Sequence, residues 1–208
     1  MKKTTPPPRL SREESRSQTR ASLLAAAKQL FVERGFGATS LRDIATAAGY
    51  TQGAFYSNFA DKEALFLELM QERAKMEVGE IAEVFRDPAT SAEDVLAALE
   101  GWARTLDTDP EWSVLGIEFE LLASRNAEFA EASQALWNAH RDGLAICIAQ
   151  LFARFGRVPP EAPTTLAASF MALAHGLAMQ RTVVENVPVG HMTMVFLRGL
   201  LASADKAR

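Results

Sequence analysis

The chain has 208 residues, 48% of them apolar, and a net charge of −4. That is enough apolar material for a large core in one or two domains. Its one cysteine, Cys147, excludes an internal disulfide framework, and no apolar run approaches the roughly 18 residues of a membrane span. The N-terminus is basic but lacks the apolar stretch of a secretory signal, so a cytoplasmic protein without a membrane partner is expected.

The charge is unevenly distributed. Residues 1–62 hold 10 Lys/Arg against 5 Asp/Glu, and residues 63–208 hold 12 against 21. A basic end on an acidic body is the footprint expected if only that end meets a polyanion; a merely solvated basic tail is the bland alternative.

Residues 1–14 form a Pro-rich, charged segment in which Pro6, Pro7 and Pro8 exclude helix. It reads as a disordered basic arm whose Lys2, Lys3, Arg9 and Arg12 could follow DNA phosphates. A first helix over 15–34 carries the apolar stripe Leu23, Leu24, Ala27, Leu30 and Phe31 and stops at Gly35. Thr39 or Ser40 can cap a helix over 41–48, which Gly49 ends through positive φ. Thr51 caps a very short helix over 52–57. Two helices joined by a tight turn match a helix-turn-helix, whose second helix enters the major groove. Leu23, Phe31, Phe36, Leu41, Ile44 and Phe55 are its expected core.

On the short second helix, Gln52 can present an amide edge to adenine, and Ala54 can touch a thymine methyl. Gly53 would let the backbone come close to DNA. Thr51, Tyr56 and Asn58 carry neutral donors suited to phosphate oxygens. Thr39 and Ser40 sit at a helix N-terminus, which favours phosphate; capping alone is the bland reading for Thr39 and Thr51. Arg42 and Lys62 supply positive charge.

The run TRASLLAAAKQLFVERGFGATSLRDIATAAGYTQGAFYSNFADKEALF, residues 19–66, resembles the N-terminal domain of the TetR/AcrR family of transcriptional regulators. The resemblance implies that Lys62 contacts phosphate at the start of the fourth helix. Many family members carry His where Asn58 stands, so that contact would be neutral at every pH.

Asp61 can cap the next helix, over 61–85, which links this unit to the body and could transmit a shift between them. The body then reads as helices over 91–106, 111–124, 127–155, 163–186 and 189–204. The fold class expected is all-α: a helix-turn-helix DNA-binding domain over 15–62 and a larger ligand-binding and dimerisation domain over 63–208. In helix 163–186, Leu166, Phe170, Leu173, Leu177 and Val184 share one face, and Ala168, Met171, Ala172, His175 and Met179 share roughly the opposite one. A helix apolar all round must be covered all round. Leu166, Phe170, Leu173 and Leu177, together with Phe196 and Leu200 of the last helix, are the candidate homodimer interface, a pairing the resemblance also implies; which face meets the partner is left open, and two interior helices of a monomer are the alternative. Trp102, Phe119, Trp137, Met171, His175 and Met179 are the candidate lining of a ligand pocket, although each could be ordinary core.

No catalytic or metal-binding constellation appears. His140, His175 and His191 lack metal-ligand spacing with one another or with Cys147, and no phosphate-binding loop or nucleophile elbow is present. No enzyme activity and no cofactor are expected. The favoured reading is a regulator, a repressor released from a palindromic operator by a small apolar or amphipathic effector. The alternatives are an architectural DNA binder without effector, and a helical carrier or enzyme with an incidental helix-turn-helix.

Overall fold

The computed structural model describes residues 11–181 and 188–207. Lys2, Lys3 and Arg9 of the expected arm, and Val184, lie outside them. The described residues form ten helices and no strand; a lone bridge pairs Arg157 with Lys206. The chain divides into two compact units, residues 1–69 and 70–208.

The first unit begins with α1, Arg12–Arg34. It starts three residues before the expected point because Ser11 and Glu14 form a capping box: the Ser11 hydroxyl accepts from Glu14 N at 3.1 Å, and the Glu14 carboxylate accepts from Ser11 N at 2.7 Å. Residues 12–14 are therefore helix, and Arg12 belongs to it. The Ser11 backbone N–H chiefly, and then the Ser11 hydroxyl, hold the Glu14 carboxyl below its ordinary pKa. Gly35 closes α1 at φ 81°, a conformation that disfavours side chains.

Short helices α2, Leu41–Ala47, and α3, Gln52–Tyr56, follow. Gly49, at φ 79°, makes the turn between them. Gly37 has no positive φ, so the bend before α2 is made at Gly35. Leu23, Phe31, Phe36, Ile44 and Phe55 are buried as expected; Leu41 is only half-buried. Phe31, Phe36 and Phe66 form a ring cluster with centroids 4.9–5.3 Å apart. Arg20 ties α1 to the rest of the unit. It forks onto Glu68, donates to Asn58 O at 2.6 Å and lies 4.2 Å from the Phe59 ring centre.

Helix α4, Lys62–Glu83, contains the boundary between the units. Asp61 caps it, accepting from Ala64 N at 2.6 Å. The second unit comprises the remainder of α4 with α5, Ala92–Ala103; α6, Thr105–Thr108; α7, Glu111–Arg125; α8, Ala127–Arg154; α9, Pro163–Gln180; and α10, Val189–Ser203. Its core joins Val95, Leu99, Leu151, Phe152, Leu166 and Leu201.

The single helix expected over 91–106 is broken at Arg104. The start of α10 crosses there: a β-carbon at Gly190 would lie 1.9 Å from Ala103 O. Gly190 N donates to Asp107 Oδ1 at 3.0 Å, and Arg181 donates to the carbonyls of Leu106 and Asp107. The end of α6 at Thr108 leaves carbonyls that a distant arginine satisfies. Gly190→Ala is expected to cost about 3 kcal/mol or more. Gly101→Ala, where the added methyl meets nothing within 4 Å, should instead stabilise by ~0.5–1 kcal/mol. Denaturant unfolding of the two variants checks both signs.

Candidate functional site

The recognition surface of the first unit is built on a helix of five residues. So short a helix is not stable alone. Thr51 caps it, its hydroxyl accepting from Ala54 N at 3.2 Å. Phe55, fully buried, anchors its inner side against Phe59, with ring centres 5.6 Å apart. The outward side presents Thr51, Gln52, Gly53 and Tyr56, all exposed, with Tyr56 at 59%; Ala54 is half-buried.

Gly53 is not required by the fold. Its φ is not positive, and a β-carbon there would meet only Thr51 Oγ1, at an ordinary 3.7 Å. Beside it, Ser40 caps α2 in a capping box with Asp43, and the hydroxyl bond of Ser40 is the main cause of the lowered Asp43 pKa. Ser40 and Arg42 are exposed.

Three expected phosphate contacts are placed differently. Thr39 is buried, and its hydroxyl donates to Gly35 O at 2.9 Å and Leu30 O at 3.3 Å, so its side chain neither caps α2 nor faces solvent. Asn58 is half-buried and spends an amide N–H on Ala54 O at 2.8 Å, sealing the end of α3. Lys62 Nζ donates to Phe36 O at 2.5 Å and Thr39 O at 2.7 Å and sits 4.0 Å from the Phe36 ring centre. Burial pulls its pKa below the usual lysine value, with Glu63 opposing. Its charge fixes the turn into α2. Of the other expected contact residues, Ser40, Arg42, Thr51, Gln52, Gly53 and Tyr56 are exposed and Ala54 is half-buried.

The second unit encloses a cavity of about 360 Å³, a size suited to a small organic ligand. Five of the six residues expected there line it: Trp102, Phe119, Trp137, Met171 and His175. Met179 does not; it is exposed on the far side of α9. The Trp137 and His175 rings meet edge to face at 5.7 Å, and His175 Nδ1 lies 2.8 Å from Glu120 Oε1. The bond from His175 chiefly lowers the Glu120 pKa.

A charged group from α4 was not anticipated. Arg73, Glu77 and Glu80 line the cavity together with His140 and Trp112. Burial raises the Glu77 pKa, but His140 and Arg73 outweigh it and hold the carboxyl below the ordinary range. Met70, Ala74, Glu77 and Ile81 share one helical face, so a carboxylate on an apolar stripe was the available sequence signal.

The candidate dimer face also changes. Leu166 is buried in its own chain's core, Phe170 lines the cavity, Leu173 and Leu177 are half-buried, and Leu200 packs against the core. Of that set only Phe196 is well exposed, at 50%. The outward face of α9 is instead Ala168, Ala172, Gly176 and Met179.

The first unit is thus a capped helix-turn-helix, and the second is a helical body with an internal cavity. Residues 23–69 match the family model described as bacterial regulatory proteins, tetR family. The chain is similar to members of this family over that stretch. It is 41% identical over 69 residues to the HTH-type transcriptional regulator AcrR of Shigella flexneri, covering 33% of this chain and 32% of that protein. It is 43% identical over 67 residues to the HTH-type transcriptional repressor KstR2 of Rhodococcus jostii, covering 32% of each. The chain thus spans about a third of the length of these curated relatives. The fold is similar to that of Salmonella enterica GusR, with a TM-score of 0.71 at 23% identity over 93% of this chain and 98% of that one.

The placements of Gly53 and Lys62 make opposite stability predictions. Gly53→Ala is expected to leave the first unit as stable or raise it by ~0.5 kcal/mol. Lys62→Met, which strips Thr39 O of its donor and leaves Phe36 O only the 3.4 Å bond from Thr39 N, should lower it by about 1–3 kcal/mol. Thermal melts followed by circular dichroism distinguish them.

Proposed function

We propose that the protein is a sequence-specific transcriptional regulator, a repressor released from a near-palindromic operator by a small molecule bound in the second unit. The observation that carries this reading is the outward face of α3. Its side chains are exposed and polar, the fold does not need glycine at position 53, and the helix exists only because Phe55 and the Thr51 cap hold it. Such a surface is preorganised for a partner and contributes nothing to its own unit's core. The relatives named as regulators and repressors support the reading.

Each residue then has a role. Gln52 reads a base edge, Gly53 allows close approach, and Ala54 and Tyr56 border the contact. Ser40, Thr51 and Arg42 meet phosphates and set register. Two copies of the chain pair through the outward side of α9 and the Val195 and Phe196 surface of α10, both apolar and exposed. Recognition helices roughly 34–36 Å apart would face successive major grooves. An effector in the cavity acts through α4, which carries Lys62 at its start and cavity residues Arg73 and Glu77 further along. Its leverage is its affinity difference between two states, on the order of 1–3 kcal/mol.

DNA selected from a random pool by the full-length protein supplies the test. Gln52→Ala should relax base discrimination by about 1–3 kcal/mol, whereas Arg42→Ala should weaken all sequences alike and reduce the salt slope by about 1. Gly53→Ala should weaken binding although the fold tolerates it. An equal loss on all sequences for Gln52→Ala and Arg42→Ala, measured by anisotropy across a salt series, would favour an architectural role instead.

A further inference from the structure

We propose that the cavity of the second unit takes an organic cation with an aromatic or apolar body. This rests on the effector reading and narrows it to a chemical class. Among the described residues, and leaving the histidines aside, the charged side chains that line the cavity are one arginine, Arg73, and three acids, Glu77, Glu80 and Asp109. A cleft with an excess of one sign and low-dielectric walls concentrates the opposite charge. Glu80 and Asp109 are exposed, and Glu77 is largely covered, so the negative potential runs from the solvent side inward.

Arg73 does not cancel this field. Its guanidinium is shared, with Nη2 4.0 Å from Glu77 Oε2 and Nη1 3.9 Å from Glu80 Oε2. Both separations exceed a direct hydrogen bond. On the other side of Glu77, His140 Nε2 stands 3.6 Å from Oε1 and has no hydrogen-bond partner among the described residues. His175 is engaged by Glu120. An anionic ligand would have to face three carboxylates to reach these groups.

The aromatic lining supplies the second element. All three tryptophans of the chain, Trp102, Trp112 and Trp137, line the cavity. Trp102 Nε1 donates to Glu80 Oε2 at 3.1 Å, which fixes an indole beside a carboxylate. The Arg73 guanidinium carbon lies 5.7 Å from the centre of the Trp112 ring, so a cation over an indole is already accommodated there. Carboxylates next to ring faces discriminate a weakly hydrated organic cation from a neutral molecule of the same shape.

The three tryptophans also report binding directly. Full-length protein is titrated, with fluorescence and calorimetry as readouts, against trimethyl(3-phenylpropyl)ammonium, 2-methyl-5-phenylpentan-2-ol and 4-phenylbutanoate. The expected result is that the ammonium binds about tenfold or more tightly than the other two, and that Glu80→Gln, at a half-exposed position, removes most of that preference. Equal affinities, preference for the alcohol or the carboxylate, or no binding by any probe at millimolar concentration would overturn the proposal. Affinity for the selected DNA is measured in the same samples. If the alcohol or the carboxylate binds better and releases DNA, the ligand class is wrong and the effector reading holds. If the ammonium binds as expected and DNA affinity does not change, the ligand class holds and the effector reading fails.

Discussion

The first unit depends on one ammonium group. Lys62 Nζ bonds the carbonyls of Phe36 and Thr39 and rests against the Phe36 ring. Those carbonyls belong to the bend between α1 and α2, where backbone acceptors have no helical partner. Without the lysine, Phe36 O would keep only a 3.4 Å bond from Thr39 N and Thr39 O would lose its donor, and an unsatisfied buried carbonyl costs on the order of 1–3 kcal/mol. The lysine satisfies two at once. Its charge is partly desolvated in doing so, which is why its pKa falls. The orientation of α2, and of the Ser40 cap at its start, therefore rests on a residue at the first turn of α4.

That arrangement explains why several polar residues of the motif face inward. Thr39, Asn58 and Arg20 each use their donors on backbone carbonyls or on a carboxylate within the unit. A three-helix unit of this size has a small core, chiefly Phe31, Phe36, Phe55, Phe59 and Phe66. Polar contacts must position helices that apolar burial alone would leave loosely oriented. The surface left for recognition is narrow and borders α3, whose side chains have little other work.

Much of this was legible in sequence, and the failures have physical causes. Glycine stops, serine and threonine caps and the apolar period placed α2 and α3 within a residue, because those signals are local. α1 starts earlier than its apolar stripe indicates because the capping box of Ser11 and Glu14 adds a turn that carries no core residue. The inward turn of Thr39 and Lys62 could not be read, since the carbonyls they bond become available only when α1, α2 and α4 converge. In the body, helical periodicity gave the faces of α9 but not their destinations. Leu166 and Ala168 lie on opposite sides, and only packing shows that Leu166 faces the chain's own core. Five cavity residues were found because large aromatic and polarizable side chains on apolar helices tend to converge. Arg73 and Glu77 were overlooked because charged residues on a long helix are ordinarily solvated.

Their placement bears on why they are there. A buried ion pair rarely stabilises a fold relative to well-packed apolar residues of the same volume, since desolvation offsets the attraction. Glu77 illustrates the balance: burial works against its charged form, and His140 and Arg73 are needed to keep it ionised. Substituting the cluster by leucine-like residues would close the cavity and extend the Val95, Leu99 and Leu151 core without a polar cost. Fold stability therefore supplies no reason for a charged group on this face of α4. The helix that carries the cluster is the one whose first residue holds the bend before α2.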